Sequence, residues 1–191
     1  MLYSNMRTTT AVPNSILDMI QRPIPGDKIK PIVLGEITLV SPVNTPIKLQ
    51  LVQGDLVKEN TDAIVNPTDQ FAQLDNGVGA QIVYFGGQMI QDEVSEHIRA
   101  VTQIPTGNVC VTGAGNLRTK HIIHATGPNF YCPSQKGLNL NNLLRFTAMN
   151  IFHKAVELNC SSLSIPAISC GEFGFPKKEC ARTLFQALKD F

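Results

Sequence analysis

The sequence predicts an α/β protein in which helices cover both faces of one central sheet. Three observations predict it. Short apolar runs of strand composition alternate with stretches that carry the spacing of amphipathic helices, the order that builds an α/β/α layered sheet. Glycine or proline closes the strand-like runs, as turn punctuation should. With 191 residues and 43% hydrophobic content, the chain can bury one sizeable core and is too short for two ordinary domains.

Residues 1–46 read as a partly irregular N-terminal appendage, because Pro13, Pro23, Pro25, Pro31, Pro42 and Pro46 break them into short pieces. A short helix is expected around Ser15 to Gln21, and Pro31 to Val40 has the composition of an edge strand. Residues 47–191 form the domain proper. Ile47 to Val52 alternates like a strand, and Asp62 to Asn66 is a short apolar run stopped by Asn66-Pro67. Ile90, Val94 and Ile98 recur at helical spacing. Strand-like runs return at Asn108 to Thr112 and His121 to Ala125. Leu144, Ala148, Ile151, Ala155 and Leu158 keep one helical stripe, Ser162 to Ile165 is a further strand, and a last helix opened by Pro176 carries Cys180, Leu184, Leu188 and Phe191. Ligands of such sheets sit beyond the carboxyl ends of the strands.

Composition excludes several classes. The formal net charge is +1 and no run of lysines and arginines occurs, so direct binding of duplex nucleic acid or an anionic membrane is not expected. The five cysteines Cys110, Cys132, Cys160, Cys170 and Cys180 are odd in number, scattered and never in a C-x-x-C pair. That pattern argues against a disulfide framework and a zinc site, and for an intracellular protein, nuclear or cytoplasmic. The N-terminus lacks a signal-peptide apolar core and no window approaches about 18 consecutive apolar residues, so neither a secretion signal nor a membrane span is expected. No metal or cofactor is called for, and nothing speaks to oligomeric state.

The most informative segments are two glycine-bearing turns, Asn76-Gly77-Val78-Gly79-Ala80 and Ser169-Cys170-Gly171-Glu172-Phe173-Gly174-Phe175, each between a strand-like run and a helical pattern. Glycines let backbone N–H groups crowd around an anion, and a following helix N-terminus adds partial positive charge. The pair has the layout of a diphosphate clamp that needs no cationic side chain. Two tight turns without a ligand are the plainer alternative. Gly77-x-Gly79 lacks the third glycine of a dinucleotide fingerprint, and no G-x-x-x-x-G-K-[ST] occurs, which removes dehydrogenase and P-loop readings. Cys170 in its glycine turn could be a nucleophile with His121 or His124 as base, although both histidines fall in an apolar strand run.

Five ordered blocks resemble the signature of a macrodomain: Gly54-Asp55-Leu56, Asp62 to Pro67, Gly107 to Gly115, Ile122 to Pro128, and Ile165 to Pro176. The resemblance covers Ile47 to Phe191, and the wording from Phe85 to Glu93 looks most like macrodomains associated with ADP-ribosyltransferases of the PARP type. It implies a three-layer α/β/α fold with a mixed central sheet, and an ADP-ribose ligand, free or protein-attached. A further strand normally follows the last helix in that family, so this chain is expected to lack it.

By the same resemblance, Asp55 accepts a hydrogen bond from the adenine amino group, with the Leu56 amide beside it, although Asp55 is equally placed to cap a short helix. Gly77, Val78 and Gly79 match the first phosphate loop. Ser169, Cys170, Gly171, Glu172, Phe173 and Gly174 match the second, with Phe173 against the distal ribose or packed in the core. Asn66 and Asp69 match the polar positions of the Asn-Ala-Ala-Asn motif that lines that ribose, and Asn66 before Pro67 also suits a turn. Hydrolytic relatives carry Val-Asp-Gly-Ala-Ile-His where this chain has Val78-Gly79-Ala80-Gln81-Ile82-Val83. Gly79 thus replaces the water-positioning aspartate and Val83 the histidine. The reading is an ADP-ribose binder acting as a reader of ADP-ribosylation. A mono-ADP-ribosyl hydrolase using Asp69 or Asp75, and a truncated scaffold that binds no nucleotide, are the alternatives.

Overall fold

The structure, a computed structural model, describes Leu2–Tyr3 as backbone, residues 31–40 and residues 45–191. Among these residues seven strands form one sheet: β1 (Leu2–Tyr3), β2 (Ile32–Val40), β3 (Pro46–Gln53), β4 (Ala63–Thr68), β5 (Val109–Gly113), β6 (His121–Thr126) and β7 (Leu163–Pro166). Their spatial order is β2-β3-β1-β7-β4-β6-β5. The strands from β3 to β6 run parallel, while β2 and β5 close the two edges antiparallel, so the sheet is mixed. Four helices accompany it: α1 (Gly77–Gly86), α2 (Met89–Val101), α3 (Leu140–Glu157) and α4 (Lys177–Asp190).

The layering follows from the period of two along each central strand. Ala63 and Val65 of β4 join Ile123 and Ala125 of β6 in one apolar cluster with Leu144 and Ile151 of α3 and Leu184 of α4. Ile64 and Ile122 point the other way, into a cluster with Ile82 of α1 and with Ile90 and Val94 of α2. Both faces of β4 and β6 are covered, which is why those strands read as continuous apolar runs, whereas β2 is exposed along most of its length. The three-layer fold is the one the sequence predicts.

At the N-terminal ends of the parallel strands, Asp62 acts as a clamp. Its carboxylate accepts from the Ser161 backbone N–H at 2.8 Å and the Ser161 hydroxyl at 2.6 Å, and pairs with Lys120 at 2.7 Å. Its carbonyl accepts the N–H groups of Lys120 and His121. One residue thereby fastens the starts of β4, β6 and β7. The Lys120 ammonium and the Ser161 donors hold the Asp62 carboxyl well below the usual carboxylate range.

Two local readings are corrected. β4 is not stopped by Asn66-Pro67 but runs to Thr68, with Pro67 opposite Ala125. Its other neighbour, β7, pairs only with Ala63 and Ile64, so no ladder on that side requires the N–H that Pro67 lacks. Gly77, read as a loop residue, is the first residue of α1. The expected edge strand is present as β2, which pairs with β3 from Ile32↔Gln53 to Val40↔Pro46, so the sheet extends upstream of residue 47. The expected helix at 15–21 lies outside the described residues.

Gly115, in the turn after β5, has φ +54°, and a Cβ there would fall 2.0 Å from the Gly86 carbonyl oxygen that ends α1. Gly115→Ala is therefore expected to cost about 2 kcal/mol or more in urea unfolding. Gly35→Ala, whose Cβ meets nothing within 4 Å, is expected to change stability by less than about 0.5 kcal/mol.

Candidate ligand cleft at the strand carboxyl ends

The carboxyl ends of β4 and β7 and the turn after β6 open on one cleft of about 1120 Å³. Gly77 to Gly79 line it from one side and Ser169 to Phe173 from another, so the two glycine turns converge. In α1 the first bond of the helical ladder is Ala80 N–H to Asn76 C=O, 3.0 Å, and Asn76 gives no side-chain cap. The amides of Gly77, Val78 and Gly79 precede that bond and carry the positive end of the helix dipole. By contrast α3 is capped, with the Asn139 side chain accepting from Asn142 N–H at 3.0 Å.

In the second turn some amides are already used. Cys170 N–H reaches Ala167 C=O, Gly174 N–H reaches Gly171 C=O, and Phe175 N–H reaches Ser169 C=O at 2.8 Å. Between them the N–H groups of Gly171, Glu172 and Phe173 have no acceptor among the described residues. A Cβ on Gly171 would meet open space, whereas one on Gly174, at φ +65°, would strike the Tyr131 ring. The turn is braced from behind by that ring and by the bond from Phe130 N–H to Phe173 C=O at 2.8 Å.

The predicted site residues separate into two groups. Leu56, Asn66, Asp69, Gly77, Val78, Gly79, Ser169, Cys170, Gly171, Glu172 and Phe173 all line the cleft. Asp55 and Gly174 are not among its lining residues. Asp55 caps the short 3-10 turn Leu56–Lys58 by accepting from Val57 N–H at 3.3 Å, and Gly174 closes the second turn. Asp69 accepts from Phe71 N–H at 3.0 Å while its carbonyl takes the Thr126 hydroxyl, which fixes the chain leaving β4.

Sequence reasoning missed three contributors. Lys177 and Lys178, in the first turn of α4, line the cleft, so cationic residues share it with the amides after all. Leu51, Leu184 and Phe185 give it an apolar arm running along β3 and α4. Gly127, after β6, approaches so closely that a Cβ would sit 2.3 Å from the Ser169 hydroxyl. The lysines follow Pro176 directly and were readable as helix-start residues, but their direction was not.

Beneath the cleft lies a buried polar row. Asn66 faces His124 in register, Nδ2 to Nδ1 at 3.1 Å, and the other ring nitrogen, Nε2, meets the Thr112 hydroxyl at 2.9 Å. Burial, with a smaller effect of nearby His97, pushes the His124 pKa down to about 3. Among the described residues Asn66 Oδ1 and Ser169 Oγ are the buried side-chain atoms without a partner, and both residues line the cleft. Both atoms are covered in this structure, so a ligand hydroxyl reaches them only when the wall above gives way. Ser169 also holds φ +62°, a strained conformation for a residue with a Cβ.

A cysteine nucleophile finds no base here. The Cys180 thiol donates to the Ile168 carbonyl at 3.3 Å. The neighbouring Cys170 sulfur, and burial after it, push Cys180 up, while the proximity of Cys180 holds the Cys170 thiol below its usual range. Both nitrogens of His124 are engaged, and His121 lies at the opposite, N-terminal end of β6. Among the described residues no cluster of side chains suits a metal ion, and no helix is long and apolar enough to cross a membrane.

Comparison with known proteins agrees with this geometry. Residues 65–184 match the family model for the macro domain. A macro domain-containing protein of Caldanaerobacter subterraneus is 35% identical over 146 residues, covering 75% of this chain and 81% of that protein. The mouse protein mono-ADP-ribosyltransferase PARP9 is 31% identical over 145 residues, covering 75% of this chain but 16% of its own length. Among solved structures, the Oceanobacillus iheyensis macrodomain with ADP superposes at a TM-score of 0.72 and 27% identity, covering 82% of this chain and 81% of that one. A mutant of that macrodomain with ADPR matches equally well.

The depressed pKa of His124 has a consequence for stability. The folded state excludes a proton that the unfolded chain binds below its ordinary value of 6.5, so stability is complete above that pH and falls as pH drops toward about 3. Urea unfolding followed from pH 7 to pH 4 is expected to show uptake of about one proton more in the wild type than in His124→Gln.

Proposed function

Because this chain belongs to the macro domain family, we propose that its cleft binds ADP-ribose, free or attached to protein, as a reader of ADP-ribosylation. The observation that carries the proposal is the convergence on one cleft of two sets of backbone amides, at Gly77–Gly79 and Gly171–Phe173, that have no acceptor among the described residues. Such a set of donors fits a diphosphate, whose oxygens accept from several directions at once. Lys177 and Lys178 add long-range attraction for the same charge. The apolar arm at Leu51, Leu184 and Phe185, with Leu56 beside it in the lining, suits a purine face, and the polar wall at Asn66 and Asp69 suits a ribose. ADP and ADPR in the matching Oceanobacillus iheyensis structures support the ligand class. The five free thiols fit a reducing, intracellular compartment.

Binding without efficient turnover is supported by what the cleft presents to a water molecule. Gly79 lines the cleft where hydrolytic relatives place an aspartate, and Val83 is not among its lining residues. Asp69 is already bonded to Phe71 N–H, and His124 is locked on both sides. The second reading, a mono-ADP-ribosyl hydrolase, is favoured only by the presence of Asp69 and Asp75 in the cleft wall.

Calorimetric titration with ADP-ribose is expected to give binding in roughly the micromolar range, about −8 kcal/mol. A folded chain that evolves no heat would reject the proposal. Gly171→Glu is expected to weaken binding at least about a hundredfold, because it sets a carboxylate among the diphosphate donors, while leaving unfolding unchanged since a side chain there enters open space. Incubation with mono-ADP-ribosylated protein separates reader from hydrolase: label released well above the buffer rate assigns the enzyme, and loss of that release in Asp69→Asn or Asp75→Asn would name its base.

A further inference from the structure

We propose that His124 is a positioning residue for the cleft: it fixes the amide of Asn66 so that Oδ1, covered in this structure, is the atom a ligand hydroxyl meets once the wall above it gives way. The proposal rests on the ADP-ribose reading and assigns a role to a residue that lies beneath the cleft rather than in its lining.

The chemistry of the row determines its polarity. The Asn66 Nδ2 group has hydrogens and no available lone pair, so His124 Nδ1, 3.1 Å away, must be the acceptor. A neutral imidazole then carries its proton on Nε2, which donates to the Thr112 hydroxyl at 2.9 Å. Protonation of Nδ1 would set donor against donor, and the burial that holds the ring neutral prevents it across the ordinary pH range. With Nδ2 committed to the ring, the planar amide leaves Oδ1 as its free acceptor, and that atom has no partner among the described residues.

An acceptor suits a sugar hydroxyl, which has a proton to give, and repels a phosphate oxygen, which has none. The row therefore favours a ligand that carries ribose beyond the diphosphate over one that ends there. Register makes the arrangement possible: Asn66 and His124 are direct cross-strand partners in β4 and β6, and Thr112 stands on neighbouring β5. All three side chains project from the α1/α2 face, the face to which Ile64, Cys110 and Ile122 also belong.

The test compares ADP-ribose with ADP, which lacks the distal ribose, in calorimetric titrations of wild type, Asn66→Ala, His124→Gln and the double variant. The wild type is expected to prefer ADP-ribose. Each single variant should lower that preference by about tenfold with ADP affinity retained, and the double should fall no further than Asn66→Ala alone. Independent losses that multiply, or a His124→Gln preference equal to wild type, would overturn the proposal. Failure of the wild type to bind ADP at all would instead overturn the cleft reading, and this proposal with it. Nitrogen-15 NMR of the wild-type imidazole decides the matter even if His124→Gln does not fold. A proton on Nε2 supports the assignment, and a proton on Nδ1, which would turn the amide to present a donor, sinks it.

Discussion

Unpaired backbone amides at the carboxyl ends of parallel strands are the feature around which this molecule is organised. A backbone N–H is an obligatory donor, and two sets of them beside one cleft have no acceptor among the described residues. They stay free because the protein withholds its usual means of satisfying them. The Asn139 side chain caps α3, yet Asn76 and Pro176 offer no side-chain cap to α1 and α4, the two helices that begin beside the cleft. Stability forgone at those helix starts is available to an anion instead.

Holding such donors in place requires a rigid frame. β4, β6 and β7 are locked at their N-terminal ends by Asp62 and covered on both faces by apolar clusters, so their carboxyl ends project from a close-packed layer. The strand-end turns then brace one another. Gly127 lies against the Ser169 hydroxyl, Phe130 bonds the Phe173 carbonyl, and Tyr131 closes over Gly174. Glycine is needed at 127 and 174 for close approach, while at 171 it leaves room for a ligand. Three glycines of one site thus answer to different constraints.

Local physics explains what the sequence made legible. Helical stripes from Leu144 to Leu158 and from Cys180 to Phe191, the edge-strand composition of residues 31–40 and the two glycine turns are all short-range signals, and each has a counterpart in the structure. What stayed hidden depends on partners distant in the chain. Pro67 reads as a strand stop until β7 is seen to end its pairing at Ile64, and Asp62 reads as a strand residue until Lys120 and Ser161 arrive beside it. Lys177 and Lys178 were visible as residues but not as cleft lining, because the direction of a helix start is set by the turn before it. Asn66 was legible as a polar position; its link to His124 exists only through the β4/β6 register.

The same dependence on distant partners separates the proposed binding role from catalysis. A proton-transfer group must be able to change its protonation state near the substrate, with a partner free to respond. His124 cannot: both nitrogens are bonded and burial keeps the ring neutral. Cys170 lies against Cys180, whose thiol is spent on the Ile168 carbonyl, and Asp69 spends an oxygen on Phe71 N–H. Each of these groups is committed to holding geometry. On the proposed reading the cleft recognises charge and hydroxyl pattern, because His124 and Asp69 hold geometry and the facing amides can only donate, and Asp75 and Glu172 are the lining carboxylates with no hydrogen bond among the described residues.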